Sequence, residues 1–219
     1  MSTQLTFKWE DAPSYAASDY MVSKSNQAAI AFMEMLPLPF PEYAALLYGQ
    51  QGAGKTHLAK CLQEKHHALL IDHALLGSMT SENLIGQHHF AILDDIQTLQ
   101  DETAFFHLLR YMETSQRFLL LISSQPAKSL PFTLPDLRSR LLSFSSTPLP
   151  PPDDALLHLM VTKWFSDHQL AVSTEVIHYL ITRSPRAFNP LRQLLTRIAA
   201  LSLETKREIT IPLVKRLLT

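Results

Sequence analysis

Eight residues constrain this chain more than any others: Gly49-Gln50-Gln51-Gly52-Ala53-Gly54-Lys55-Thr56, spaced as G-x-x-x-x-G-K-[ST]. An apolar run, 44–48, precedes them and a helical stretch, 54–66, follows. That strand–loop–helix context is the one in which the pattern has a physical meaning. Glycines let the backbone turn its N–H groups inward towards phosphate oxygens, and the positive end of the following helix faces the same anion. Lys55 then supplies a point charge to the outer phosphates and Thr56 a hydroxyl to Mg²⁺. With Gly49, Gly52, Ala53, Gly54 and His57 they make the expected nucleotide-binding set.

Around this loop, short apolar runs alternate with helical patterns. Strands are expected at 44–48, 68–71, 90–93 and 118–122, with a fifth at 141–144. A helix is expected over 102–115, where residues 105, 106, 108, 109 and 112 form an apolar stripe. Alternation of this kind implies an α/β fold with a parallel sheet between helices. The run Phe90-Ala91-Ile92-Leu93 is expected beside the first strand, delivering Asp94 and Asp95 at its end. Asp94 becomes the Mg²⁺-side carboxylate, and Asp95 the group that orients or deprotonates an attacking water.

The prolines mark a boundary. Pro148-Leu149-Pro150-Pro151-Pro152 can continue neither a helix nor a central strand. Beyond it, 154–168, 174–182, 191–203 and 211–218 all read as helices, the last with Thr210 as its cap and Pro212 just inside. The expected organisation is therefore an N-terminal segment 1–17, a nucleotide-binding core 18–149 and a small all-helical lid 150–219.

Composition removes several classes. A single cysteine, Cys61, rules out a disulfide scaffold, and no apolar run is long enough for a membrane span. No basic-then-apolar signal opens the chain, so a reduced, cytoplasmic setting is expected. The formal net charge of −1 argues against bulk, sequence-blind DNA binding. The ten histidines have no paired spacing with cysteine that would complete a metal site.

Several stretches resemble the DnaA-related AAA+ family: Leu93-Asp94-Asp95-Ile96-Gln97, Gly54-Lys55-Thr56-His57-Leu58, and Ser25-Asn26-Gln27 near the expected adenine. The run from Leu120 through Ser124 to Pro126 is similar to the family's sensor strand, with Ser124 at its end. Leu134-Pro135-Asp136-Leu137-Arg138-Ser139-Arg140 is similar to its arginine-finger box. The resemblance implies that Arg140 acts in trans, on nucleotide in a neighbouring subunit. It also implies ADP or ATP as the ligand, Mg²⁺ as its ion, and slow intrinsic hydrolysis. Spacing back from Ile209 sets Asn189 where the family's lid arginine faces the phosphates, with Arg186 and Arg192 a turn away on either side. Arg186 is taken as the nucleotide contact.

The resemblance covers 18–219 and reaches no helix-turn-helix reader, which implies the short, Hda-type regulators within the family. Gln4-Leu5-Thr6-Phe7-Lys8-Trp9 is similar to the hexapeptide by which they dock on the DNA polymerase sliding clamp, its beta subunit. Gln4 supplies hydrogen bonds, and Leu5, Phe7 and Trp9 supply apolar anchors. The implied function is negative regulation of replication initiation: nucleotide-bound, clamp-docked stimulation of hydrolysis of DnaA-bound ATP. DNA is then met indirectly, self-association as a homodimer stays open, and no membrane is involved. The alternative is a DnaC-like helicase-loader ATPase acting on single-stranded DNA, for which the Gln4 hexapeptide has no use.

Overall fold

The computed structural model describes residues 21–218. The docking-like residues Gln4, Leu5, Phe7 and Trp9 lie outside the described residues. Five parallel strands form one sheet in the order β2-β3-β4-β1-β5: β1 (Ala44–Tyr48), β2 (Leu69–Leu70), β3 (Phe90–Leu93), β4 (Phe118–Ser123) and β5 (Ser145–Pro148). The three inner strands are apolar almost throughout because helices cover both faces. Their period of two divides the core. Leu46, Leu93 and Leu121 face one layer with Phe105, Leu109 and Leu137, whereas Leu47, Ile92 and Leu120 face the other with Met33, Leu58 and Leu62.

The first layer comes from α3 (Ser81–Ile85), α4 (Glu102–Thr114) and α5 (Pro135–Ser143), the second from α1 (Gln27–Glu34) and α2 (Lys55–His66). The stripe on α4 buries Phe105, Leu108, Leu109 and Met112. Asp101 caps that helix by accepting from Ala104 N–H at 2.8 Å.

Two sequence expectations need correction. The strand ending in Asp94 does not lie beside β1, because β4 pairs with both and stands between them. All six residues of β4 are buried, so it takes the centre of the sheet, where burial is deepest. The fifth strand is not 141–144. Leu137 and Leu141, four apart, bury the inner face of α5, and the chain becomes extended only at Ser145. β5 is a polar edge strand, Ser145-Ser146-Thr147-Pro148, with only Thr147 buried, so it carries no apolar pattern to read. Pro148 is tolerated there because it ends an edge strand.

After Pro152 come α6 (Asp154–Asp167), α7 (Thr174–Arg183), α8 (Phe188–Thr205) and α9 (Ile211–Leu218). They share a separate apolar cluster built on Leu157, Val161, Leu180, Leu195, Ile198 and Val214. Asp153 caps α6, accepting from Leu156 N–H at 2.8 Å, and its other oxygen accepts from Ser25 N–H at 3.3 Å. One carboxylate thus ties the segment before α1 to the lid.

Candidate functional site

The loop 49–54 follows β1 and feeds directly into α2. Gly52 and Gly54 take φ of +82° and +102°, left-handed values that side chains rarely adopt. Lys55 is buried and folds back on the loop, donating from Nζ to the carbonyls of Gly49 at 2.8 Å and Gln50 at 3.1 Å. Burial lowers its pKa, and the nearby Asp94 and Asp95 carboxylates oppose that shift. Ala53, within the loop, is buried, and His57 is half-buried on the first turn of α2.

Thr56 and Asp94 meet although β4 separates their strands. Thr56 Oγ1 donates to Asp94 Oδ2 at 3.0 Å. Two hard oxygens beside a phosphate-type loop form a donor set that suits Mg²⁺, which is held through one or two such groups together with substrate phosphates. Asp95 is left-handed, at φ 48° and ψ 41°. Its Oδ1 accepts from Gln97 Nε2 at 3.0 Å, and Gln97 Oε1 accepts from Ser124 N–H at 3.1 Å. Gln97 therefore links the second acid to the end of β4. Its sequence signal was the Ile96-Gln97 pair, to which no role was attached.

The lid seats on the loop. Phe188 N–H, at the start of α8, donates to Gly52 C=O at 3.1 Å. A Cβ placed on Gly52 would lie 2.6 Å from Ala187 Cβ, and one on Gly54 would lie 2.8 Å from the Phe188 ring. Arg186 immediately precedes the Ala187 cap and so stands at this seat, paired with Asp154 at 2.8 Å on the surface. The helix begins three residues before the expected 191, because Pro190 falls in its first turn, where a missing N–H costs nothing. Asn189 is thereby inside the helix and Arg186 outside it.

Arg140 occupies the other end of the sheet. Its Nη1 donates to Tyr43 Oη at 2.6 Å and to Glu113 Oε2 at 2.7 Å, and its guanidinium lies 5.5 Å from the Phe106 ring centroid. The hydrogen bond to Glu113, first among several causes, raises the Arg140 pKa, while burial raises that of Tyr43. Tyr43 precedes β1 and the loop follows it, so five residues of strand, about 16 Å, separate them. The helix carrying Arg140 is held at its start by Glu102. That carboxylate accepts from Leu134 N–H at 2.6 Å, from Thr133 N–H at 2.9 Å and from Thr133 Oγ1 at 3.0 Å. Tyr43, Glu113 and Glu102 had no motif around them to reveal these roles.

A parallel sheet with this loop, an acidic pair at the end of β3 and a helical lid seated on the loop define an AAA+ module. Comparison with known proteins gives its family. Residues 162–218 match the family model described as Hda, lid domain. An uncharacterized protein of Haemophilus influenzae is 30% identical over 185 residues, 78% of this chain and 80% of that protein. The chromosomal replication initiator protein DnaA of Cutibacterium acnes is 24% identical over 225 residues, 92% of this chain and 45% of its own length. The chain thus spans about half the length of the DnaA relatives it matches. Domain III of Thermotoga maritima DnaA superposes with a TM-score of 0.78 at 19% identity, covering 94% of this chain and 96% of that one. AMPPCP-bound DnaA from Aquifex aeolicus gives a TM-score of 0.70 at 19% identity, over 89% of this chain and 69% of that one. The chain belongs to the DnaA-related AAA+ family, on its Hda-like side. No helix among the described residues is long and apolar enough to cross a membrane.

Proposed function

We propose that the chain is an ADP- or ATP-bound regulator of replication initiation that docks on the sliding clamp and promotes hydrolysis of ATP held by DnaA. The observation that carries this reading is the setting of Arg140, bonded to Tyr43 at the start of β1, whereas the phosphate loop follows the end of that strand. An arginine so placed serves no phosphate of its own subunit. It has the position of a finger that works across an interface, where such arginines contribute about 10³–10⁵ in rate. Among the described residues Tyr43 and Glu113 both bond Nη1, and a guanidinium has five N–H donors, which leaves others for a partner's phosphate.

The chain's own nucleotide has a structural part in this scheme. Lys55 and the loop N–H groups hold the phosphates, and Thr56 and Asp94 hold Mg²⁺, which offsets phosphate charge. Ser124 and Arg186 complete the contacts from β4 and the lid, while Asp95 orients water for slow hydrolysis at this site. The Gln4–Trp9 segment brings the assembly to the clamp and so concentrates it near DNA.

Surface plasmon resonance on immobilised clamp tests the docking half of the proposal. Replacing Gln4, Leu5 and Phe7 with alanine should abolish the clamp signal, leave ADP affinity unchanged and remove clamp-dependent stimulation of DnaA. A variant that still binds the clamp like the parent refutes docking through this segment.

A further inference from the structure

The turn that presents Asp94 and Asp95 is braced by a side chain belonging to no phosphate-loop motif. His73 stands in a short 3₁₀ turn after β2, on the far side of β3 from the loop. Its Nε2 lies 2.6 Å from the carbonyl oxygen of Asp94. A carbonyl can only accept, so Nε2 carries a proton and donates it. Asp72 fixes the approach of the ring by capping that turn, its Oδ1 accepting from Ala74 N–H at 2.9 Å.

The next carbonyl is bound in the same way. Thr98 Oγ1 donates to Asp95 C=O at 2.8 Å. The Asp94 carbonyl is thus held from outside the turn by His73, and the Asp95 carbonyl from within it by the hydroxyl and the N–H of Thr98, the latter at 2.9 Å, while their carboxylates point elsewhere. Asp94 Oδ1 accepts the N–H of Asp95 at 2.7 Å, and Oδ2 accepts from Thr56. The arrangement includes a left-handed aspartate, a conformation that a non-glycine residue keeps only where surroundings over-determine it. His73 is the part of those surroundings that reaches in from β2.

We infer that His73 is a positioning residue for the Mg²⁺–nucleotide site: by holding the Asp94 carbonyl, it keeps Oδ2 of Asp94 turned to Thr56. The inference rests on the reading of Lys55, Thr56 and Asp94 as that site. It asks nothing of His73 beyond one N–H donor at a fixed point. Glutamine, whose amide nitrogen reaches about as far as Nε2, should replace it, whereas alanine should not.

The test is the Mg²⁺ dependence of binding of a fluorescent ATP analogue by the full chain, titrated in EDTA and at increasing Mg²⁺. Loss of an outer partner of a metal ligand typically costs 10–100-fold in metal affinity. In His73→Ala, the Mg²⁺ concentration giving half of the affinity gain should rise at least about 10-fold. Affinity in EDTA, which depends on Lys55 and the loop, should match the parent, and this also reports that the variant is folded. His73→Gln should restore most of the Mg²⁺ response. The inference fails if His73→Ala responds to Mg²⁺ like the parent, or if His73→Gln is as impaired as His73→Ala. A parent protein without any Mg²⁺ response, or Lys55→Ala binding the analogue normally, overturns the site reading itself and the inference with it.

Discussion

Substituting Gly52 with alanine probes the seat between lid and loop, and its cost can be worked from two distances. The new methyl would lie 2.6 Å from Ala187 Cβ, about 1 Å inside the ~3.5–4.0 Å at which carbons touch comfortably. Overpacking of that kind costs about 1–3 kcal/mol if the lid holds its place. If the lid retreats, it gives up the Phe188 N–H to Gly52 C=O bond of 3.1 Å, about 1 kcal/mol. Separately, the left-handed φ of +82° costs a non-glycine residue about 1–2 kcal/mol wherever the lid sits. On the proposed reading lid and loop hold the nucleotide together, so nucleotide affinity should fall about 10–100-fold. Ala187→Gly removes the atom that the new methyl meets. Alone it should be nearly neutral, since Ala187 is extended at φ −149° and contributes no cap through its side chain. Combined with Gly52→Ala it should recover about 10-fold in affinity, leaving the backbone term and a tight 3.3 Å approach to the Cα of residue 187. Fluorescent ADP titrations on all four proteins give the double-mutant cycle. Simple additivity, with the double variant as weak as Gly52→Ala, would refute the claim that the lid bears on the loop.

Other outcomes follow from the same geometry. Lys55→Ala should abolish nucleotide binding, and an unchanged ADP titration would remove the loop from the site. Arg186→Ala should weaken ATP more than ADP while leaving the melting temperature within about 2 °C, because its pair with Asp154 is solvent-exposed and surface pairs contribute little. Equal affinity for both nucleotides in variant and parent would count against Arg186 as a phosphate contact. Hydrogen bonds from Leu134 and Thr133 lower the Glu102 pKa. The charged carboxylate therefore adds stability that is complete above the ordinary glutamate range and fades as pH falls through the lowered value. Melting curves should show Glu102→Gln losing less stability than the parent below about pH 4, and parallel acid limbs would contradict this.

Much of the core was legible because it is buried on both faces. The inner strands are unbroken apolar runs, and the phosphate loop carries its own chemistry in its spacing. The strand order was not legible, since β1, β3 and β4 are all apolar and nothing local says which stands between the others. Edge elements were also silent. β5 is four polar or proline residues, and α3 has five residues with only Ile85 buried. At the site, residues that act through backbone groups left little trace. His73, Gln97 and Glu102 work by donating to or accepting from main-chain atoms 21, 27 and 31–32 residues away. Contacts of that range belong to the folded topology, and no local pattern encodes them. The lid helix was displaced by one misleading residue, Pro190, which lies in the first turn of α8 and does not mark its boundary.

The central claim is that Arg140 acts on nucleotide bound by another protein. DnaA loaded with γ-labelled ATP, mixed with the full chain carrying unlabelled ADP and with clamp on DNA, reports this directly as release of labelled phosphate in a single turnover. The parent should accelerate release by orders of magnitude. Arg140→Ala should bind its own ADP and the clamp normally yet leave release at the rate of DnaA alone, while Arg138→Ala should behave much like the parent. Undiminished stimulation by Arg140→Ala, or loss of ADP from that variant, would contradict the assignment.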